Sequence, residues 1–195
     1  MVAKIDNSFP LPENLPLPVD DGACSHLPNK EIPSIKLRSI KNRWVDLRQQ
    51  SQTPTVIFFY PRTGEPGKPI PQDWDIIPGA RGCTPQSCGF RDIHQQFLEK
   101  GFAVFGISSQ DTAYQQEFAE RMHLPFEILS DEQFMLTNAL SLPTFFYYGE
   151  KLIKRFAIIV DKGKIIRVFY PVFPPNENAG NVLKWIQSNQ ENLLG

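Results

Sequence analysis

At 195 residues, with 41% hydrophobic residues and a formal net charge of -1, the chain is long enough to bury a full core and too apolar to be disordered. No basic cluster calls for a nucleic-acid partner, and no apolar run approaches the length of a membrane span. Three cysteines without framework spacing argue against a disulfide-stapled secreted domain, and Met1 to Asn7 lacks the apolar core of a signal peptide, so the expected location is cytoplasmic.

In chain order, residues 1–33 read as an extended arm, with proline and leucine alternating from Leu11 to Pro18. Such an arm lies along its own domain or on a second subunit. Cys24, within it, reads as an ordinary loop cysteine, because no helix start or arginine flanks it. The domain is expected over 34–195. Ile35 to Leu47 predicts two short strands around an Asn42 turn, and Thr53 to Tyr60 predicts a strand covered on both faces. Residues 61–79 carry too many prolines and glycines for a regular element. Trp74, Ile76 and Ile77 are expected to anchor the far end, making an ordered loop that carries function or an interface.

Further strands are expected at Phe102–Ser108 and Phe126–Leu129. Helices are expected from Cys83 to about Gly101, at Thr112–Met122 behind an Asp111 cap, and at Asp131–Leu140. Phe145 to Leu152 turns at Gly149-Glu150, and Arg155 to Tyr170 folds into a hairpin around Asp161-Lys-Gly163. A last helix begins near Asn176. Alternation of strand and helix from 54 to 140 is the pattern of an α/β sheet.

The chemistry centres on Pro78-Gly-Ala-Arg-Gly-Cys83-Thr-Pro-Gln-Ser-Cys88-Gly-Phe-Arg-Asp92. Glycine and proline before Cys83 let the backbone turn sharply into a helix. At a helix start, free N–H groups and the dipole favour a thiolate over a thiol. Residues five apart on a helix project roughly 140° apart, with Cα atoms about 8 Å or more from each other. A disulfide needs about 4.4–6.8 Å. Cys83 and Cys88 therefore either never bond, or bond only when the first turn unwinds. His94 reads as a partly buried helix histidine, and a zinc site of Cys83, Cys88 and His94 fails because the three share no helix face.

At these residues the sequence resembles the Q-type (bacterioferritin-comigratory) peroxiredoxins, whose Pro-Gly-Cys-Thr-x-x-x-Cys-x-Phe-Arg-Asp signature is matched by Cys83, Thr84, Cys88, Phe90, Arg91 and Asp92. The resemblance extends over about 30–192 and implies an α/β thioredoxin-like fold, with a central mixed sheet flanked by helices and an N-terminal β-hairpin. It makes Cys83 the peroxidatic and Cys88 the resolving cysteine. Arg155-Phe-Ala-Ile-Ile-Val-Asp161-Lys-Gly163-Lys-Ile165 matches the family's later hairpin, which makes Arg155 the guanidinium beside the thiolate. The implied activity is reduction of hydrogen peroxide or organic hydroperoxides, with thioredoxin or a similar dithiol as reductant and no metal or organic cofactor. A monomer or homodimer is expected, with no nucleic-acid or membrane partner.

Two features depart from the family pattern. Ala80 stands where the family places Thr or Ser, and 61–79 separates Pro61 from the cysteine. Losing that hydroxyl removes a hydrogen bond of on the order of 1 kcal/mol, which slows the enzyme without abolishing it. Thr84 is a poorly directed substitute. Two other readings stay open: a thiol–disulfide oxidoreductase or redox sensor on the same fold, and a non-catalytic domain with both cysteines merely buried.

Overall fold

The computed structural model describes residues 10–193. The first nine residues of the expected arm lie outside the described residues. From Pro10 the arm runs over the domain's own surface, where Asp21 accepts hydrogen bonds from Lys154 at 2.6 Å and Tyr170 at 2.7 Å. Those two bonds pull the Asp21 carboxyl down to about 2. Asn29 and Ile32 donate backbone hydrogen bonds to Ile165 and Gly163, so this part of the arm joins a sheet edge. Cys24 is buried here, and burial, together with the Asp21 and Asp20 charges, pushes its thiol up to about 12.

The first hairpin forms as expected from β1 (Lys36–Ser39) and β2 (Trp44–Asp46), with Leu37 opposite Val45. Leu47 does not continue the strand. Asp46 accepts from the N–H groups of Arg48 and Gln49, which caps a one-turn helix, α1 (Leu47–Gln50). β3 (Thr55–Phe59) is buried at every position.

The insertion contains one helical turn, α2 (Gln72–Asp75), which its proline content concealed. Trp74 is buried and Ile77 packs against it, as expected of anchors, but Ile76 is 73% exposed and anchors nothing. The single helix expected after Cys83 is two: α3 (Cys83–Asp92) ends where Ile93 leaves helical backbone at φ -116, and α4 (His94–Glu99) follows.

β4 (Ala103–Ser108) precedes α5 (Thr112–Arg121), whose Asp111 cap accepts from Tyr114 N–H at 2.8 Å. After β5 (Glu127–Ser130), Asp131 accepts from the N–H groups of Leu136 and Thr137, so α6 (Met135–Leu140) starts later than its sequence signal. β6 (Thr144–Tyr147) and β7 (Glu150–Ile153) form a separate two-stranded sheet. The hairpin of β8 (Phe156–Asp161) and β9 (Lys164–Phe169) leads to a 3-10 turn, Pro175–Glu177, and to α7 (Asn178–Leu193).

Seven strands form one mixed sheet in the order β2-β1-β5-β4-β3-β8-β9. β3 is parallel to β4 and antiparallel to β8. Side chains alternate across a strand, so β3 feeds two cores. Val56, Phe58 and Tyr60 point to the face that holds Cys83, Cys88, Phe90 and α7, while Ile57 and Phe59 point to the other. Phe58 stacks on Phe90 with ring centroids 4.4 Å apart. That stack needs Gly106 on the neighbouring strand, where a Cβ would come within 2.8 Å of the Phe58 ring. The central sheet flanked by helices is the expected α/β, thioredoxin-like architecture. Among the described residues no helix is long and apolar enough to cross a membrane.

Candidate active site at the start of helix α3

Cys83 is the first residue of α3, and Gly82 before it adopts φ 106, a conformation that side chains resist. A Cβ on Gly82 would meet Pro175 Cγ at 2.3 Å and Leu11 Cδ2 at 3.1 Å. Gly82→Ala is therefore expected to destabilise the protein by roughly 1–3 kcal/mol, read from urea denaturation. Unchanged stability would mean that α3 tolerates a different start. Pro85 has no N–H, so the first-turn donors without an intrahelical acceptor are those of Cys83 and Thr84, and both residues line a cavity of about 790 Å³.

Arg155, between β7 and β8, is 4% exposed and reaches this turn from below. Its Nη2 lies 3.2 Å from Cys83 Sγ and donates to the carbonyls of Ala80 at 2.9 Å and Arg81 at 3.2 Å. Its Nε donates to Gly79 O at 3.1 Å, and its Nη1 to Gln86 Oε1. The pairing of Arg155 with Cys83 is thus present, 72 residues apart in sequence. Cys88 is 2% exposed in the core beside the sheet and is absent from the cavity lining. No disulfide joins Cys24, Cys83 and Cys88.

Ala80, where the family pattern has a hydroxyl, is buried against Trp74, Tyr147 and Leu152. Its methyl packs the anchor of the insertion while its carbonyl holds Arg155. His94 is partly buried, with its ring 5.6 Å from Phe126, and burial lowers its pKa. It takes no part in the cavity.

The insertion is one wall of that cavity, through Pro69, Ile70, Pro71 and Trp74, with Leu11 of the arm and Tyr114 of α5 facing in as well. It is pinned at both ends. Thr63 accepts from Tyr114 at 3.1 Å and donates to Gln110 at 2.9 Å, and Asp73 accepts from Tyr147 at 2.9 Å and Tyr148 at 2.6 Å. Arg62 lies over the Trp74 and Tyr147 rings and pairs with Glu150 at 2.9 Å. Sequence reasoning missed Gln86, Asn178 and Leu11. A polar residue three positions after Cys83 on the same helix was the one local signal for Gln86.

A family model described as Redoxin matches residues 27–183. The chain is 32% identical over 157 residues to peroxiredoxin Q, chloroplastic, of Oryza sativa subsp. japonica, covering 80% of this chain and 64% of that protein. It thus spans slightly less than two thirds of the length of the curated relatives it matches first. Among solved structures, peroxidoxin BcpB of Mycobacterium tuberculosis superposes with a TM-score of 0.67 at 24% identity, over 83% of this chain and 97% of that one. The Xanthomonas campestris bacterioferritin comigratory protein gives a TM-score of 0.64 at 18% identity, over 91% and 99%. With the match covering most of its length on a thioredoxin-like frame, the chain belongs to the Redoxin family.

Proposed function

We propose that this protein is a thiol peroxidase in which Cys83 is the peroxidatic cysteine, Cys88 the resolving one and Arg155 the group that holds the thiolate and the peroxide. The observation that carries the reading is the Arg155 guanidinium 3.2 Å from Cys83 Sγ at a helix start on the cavity lining. The thiolate electron pair attacks one oxygen of the hydroperoxide. An S–O bond forms, the O–O bond breaks, and the departing alkoxide or hydroxide leaves as alcohol or water after taking a proton. Cys88 then displaces water from the sulfenic acid to give a Cys83–Cys88 disulfide, and an external dithiol such as thioredoxin reduces it.

Peroxide-dependent oxidation of a thioredoxin system by the purified chain tests this reading. Absence of consumption with both hydrogen peroxide and an alkyl hydroperoxide overturns it. Disulfide exchange with protein partners is the weaker reading, because Cys83 is only 5% exposed behind the insertion wall. The arm, described from Pro10 onward, is taken to lie along a domain at 34–195. From Asp21 it bonds Lys154 and Tyr170, and a monomer or a homodimer is proposed. A cytoplasmic site of action is proposed from the sequence, whose three cysteines have no framework spacing.

The insertion is read as the selectivity wall for the peroxide. A cavity of about 790 Å³ far exceeds hydrogen peroxide and admits an organic chain past Ile70 and Trp74. Shortening residues 64–71 is expected to change the ratio of activity on bulky and small hydroperoxides. An unchanged ratio in a folded variant leaves the insertion a structural role.

A further inference from the structure

Three of the acceptors that hold Arg155 are backbone carbonyls of one turn, those of Gly79, Ala80 and Arg81. The place of the guanidinium therefore depends on where that turn lies. Its two ends are glycines with positive φ, 77 at Gly79 and 106 at Gly82. Glycine restricts its own backbone least, so the turn has to be held from outside. Ala80 is packed by Trp74, Tyr147 and Leu152. The glycines are covered by the proline-rich arm instead. A methyl built on Gly82 would lie 3.1 Å from Leu11 Cδ2, and one on Gly79 would lie 3.5 Å from Pro18 Cβ. Between these contacts Leu15 and Pro16 border a gap too narrow for water, shared with Ile77, Gly79 and Arg81. Leu11, Leu15, Pro16 and Pro18 are half-buried, whereas Leu17 is 67% exposed, so the arm has an inner and an outer face. Prolines at 10, 12, 16 and 18 pre-set an extended backbone, which lowers the entropy lost when the arm lies down. Beyond them Asp21 fastens the arm to Lys154, the residue before Arg155.

We propose that Leu11 is a positioning residue for the thiol site: seated on Gly82, it fixes the turn whose carbonyls hold Arg155 against Cys83. The inference rests on the peroxidase reading above. Leu11 also lines the cavity, so its role as a brace has to be told from a role as a wall. A wall matters to a bulky hydroperoxide and not to hydrogen peroxide, whereas a brace matters to both. The charges round Cys83 are the same with or without Leu11. Arg155 lies beside the sulfur, Arg62 is paired with Glu150, Arg81 with Asp75 and Lys68 with Glu65, and Asp111 and Glu132 are on the lining. A change in the cysteine's behaviour on substituting Leu11 therefore reports the placement of Arg155.

The test uses the full chain with Leu11→Ala, Leu11→Met and, on the outer face of the arm, Leu17→Ala. Readouts are kcat/KM for hydrogen peroxide and for a bulky hydroperoxide, and the pH profile of Cys83 alkylation. Alanine does not reach Gly82, so the turn and Arg155 lose their seat. The kcat/KM for hydrogen peroxide should then fall by on the order of tenfold, within what a small misplacement of a catalytic group costs. The alkylation profile should move to higher pH, because the thiolate has lost part of its cation. Methionine fills a similar volume and should restore both readouts most of the way. Leu17→Ala should match the wild type.

An unmoved profile in Leu11→Ala overturns the proposal, as does a Leu11→Met variant no better than Leu11→Ala. A loss confined to the bulky hydroperoxide also overturns it and leaves Leu11 a wall. Equal losses in Leu17→Ala and Leu11→Ala would show that the arm acts as a whole, and the role assigned to Leu11 falls. A wild-type chain that consumes no peroxide overturns the peroxidase reading instead, and the alkylation profiles then still decide whether Leu11 places Arg155.

Discussion

Cys83→Ser is expected to abolish peroxide consumption, while Cys88→Ser should allow one turnover and leave a sulfenic acid that an added thiol traps. The asymmetry follows from position. Cys83 stands at the helix start with Arg155 at 3.2 Å and lines the cavity, whereas Cys88 is packed in the core beside Phe58 and Phe90. A serine hydroxyl is not ionised near neutral pH and cannot take over the attack. Cys24→Ser is the control, with activity unchanged. Its thiol is held at about 12 by burial and by the Asp21 and Asp20 charges, so it is protonated and unreactive. Mass spectrometry of the trapped adduct on Cys83, together with steady-state rates, checks all three variants. Multiple turnovers in Cys83→Ser would move the nucleophile elsewhere.

Much of this site was legible because it is written in local backbone grammar. Gly82 before Cys83 announces a turn that only glycine makes, and the structure uses it at φ 106 against Pro175. Asp111 was readable as a cap for the same reason: its partner, Tyr114 N–H, is three residues away. Ile93 misled, since its apolar spacing from Phe90 and Phe97 fits a continuous helix, and periodicity does not register a φ of -116 at one residue. Ile76 misled because hydrophobicity alone does not say which of three neighbours turns inward. Gln86 and Asn178 were out of reach, being 92 residues apart and polar, so neither carries a burial pattern. Arg155 shares that difficulty, and only a family pattern singled it out before the fold placed it beneath Cys83.

Oxidation is expected to melt the first turns of α3. In the reduced protein α3 runs from Cys83 to Asp92, with Gln86 N–H bonded to the Gly82 carbonyl at 3.0 Å. Ideal helix geometry keeps Cα atoms five residues apart at about 8 Å or more, beyond the span of a disulfide. Bond formation therefore requires Cys83 to leave the helix. The cost is a few backbone hydrogen bonds at ~0.5–1.5 kcal/mol net each, reduced by Pro85, which supplies no N–H to the turn. Gln86 would also leave Asn178 and Arg155, but only after the thiolate charge has been spent in oxidation. The break at Ile93 sets the limit of the change, since α4 has its own start and need not follow. Amide exchange mapped by mass spectrometry on both forms should show protection lost at about residues 83–90 on oxidation, while β3, β8 and α4 stay protected. A Cys83–Cys88 disulfide with unchanged protection over 83–90 would show that the bond forms without unwinding, and that the placement of both cysteines on one intact helix is not what separates them.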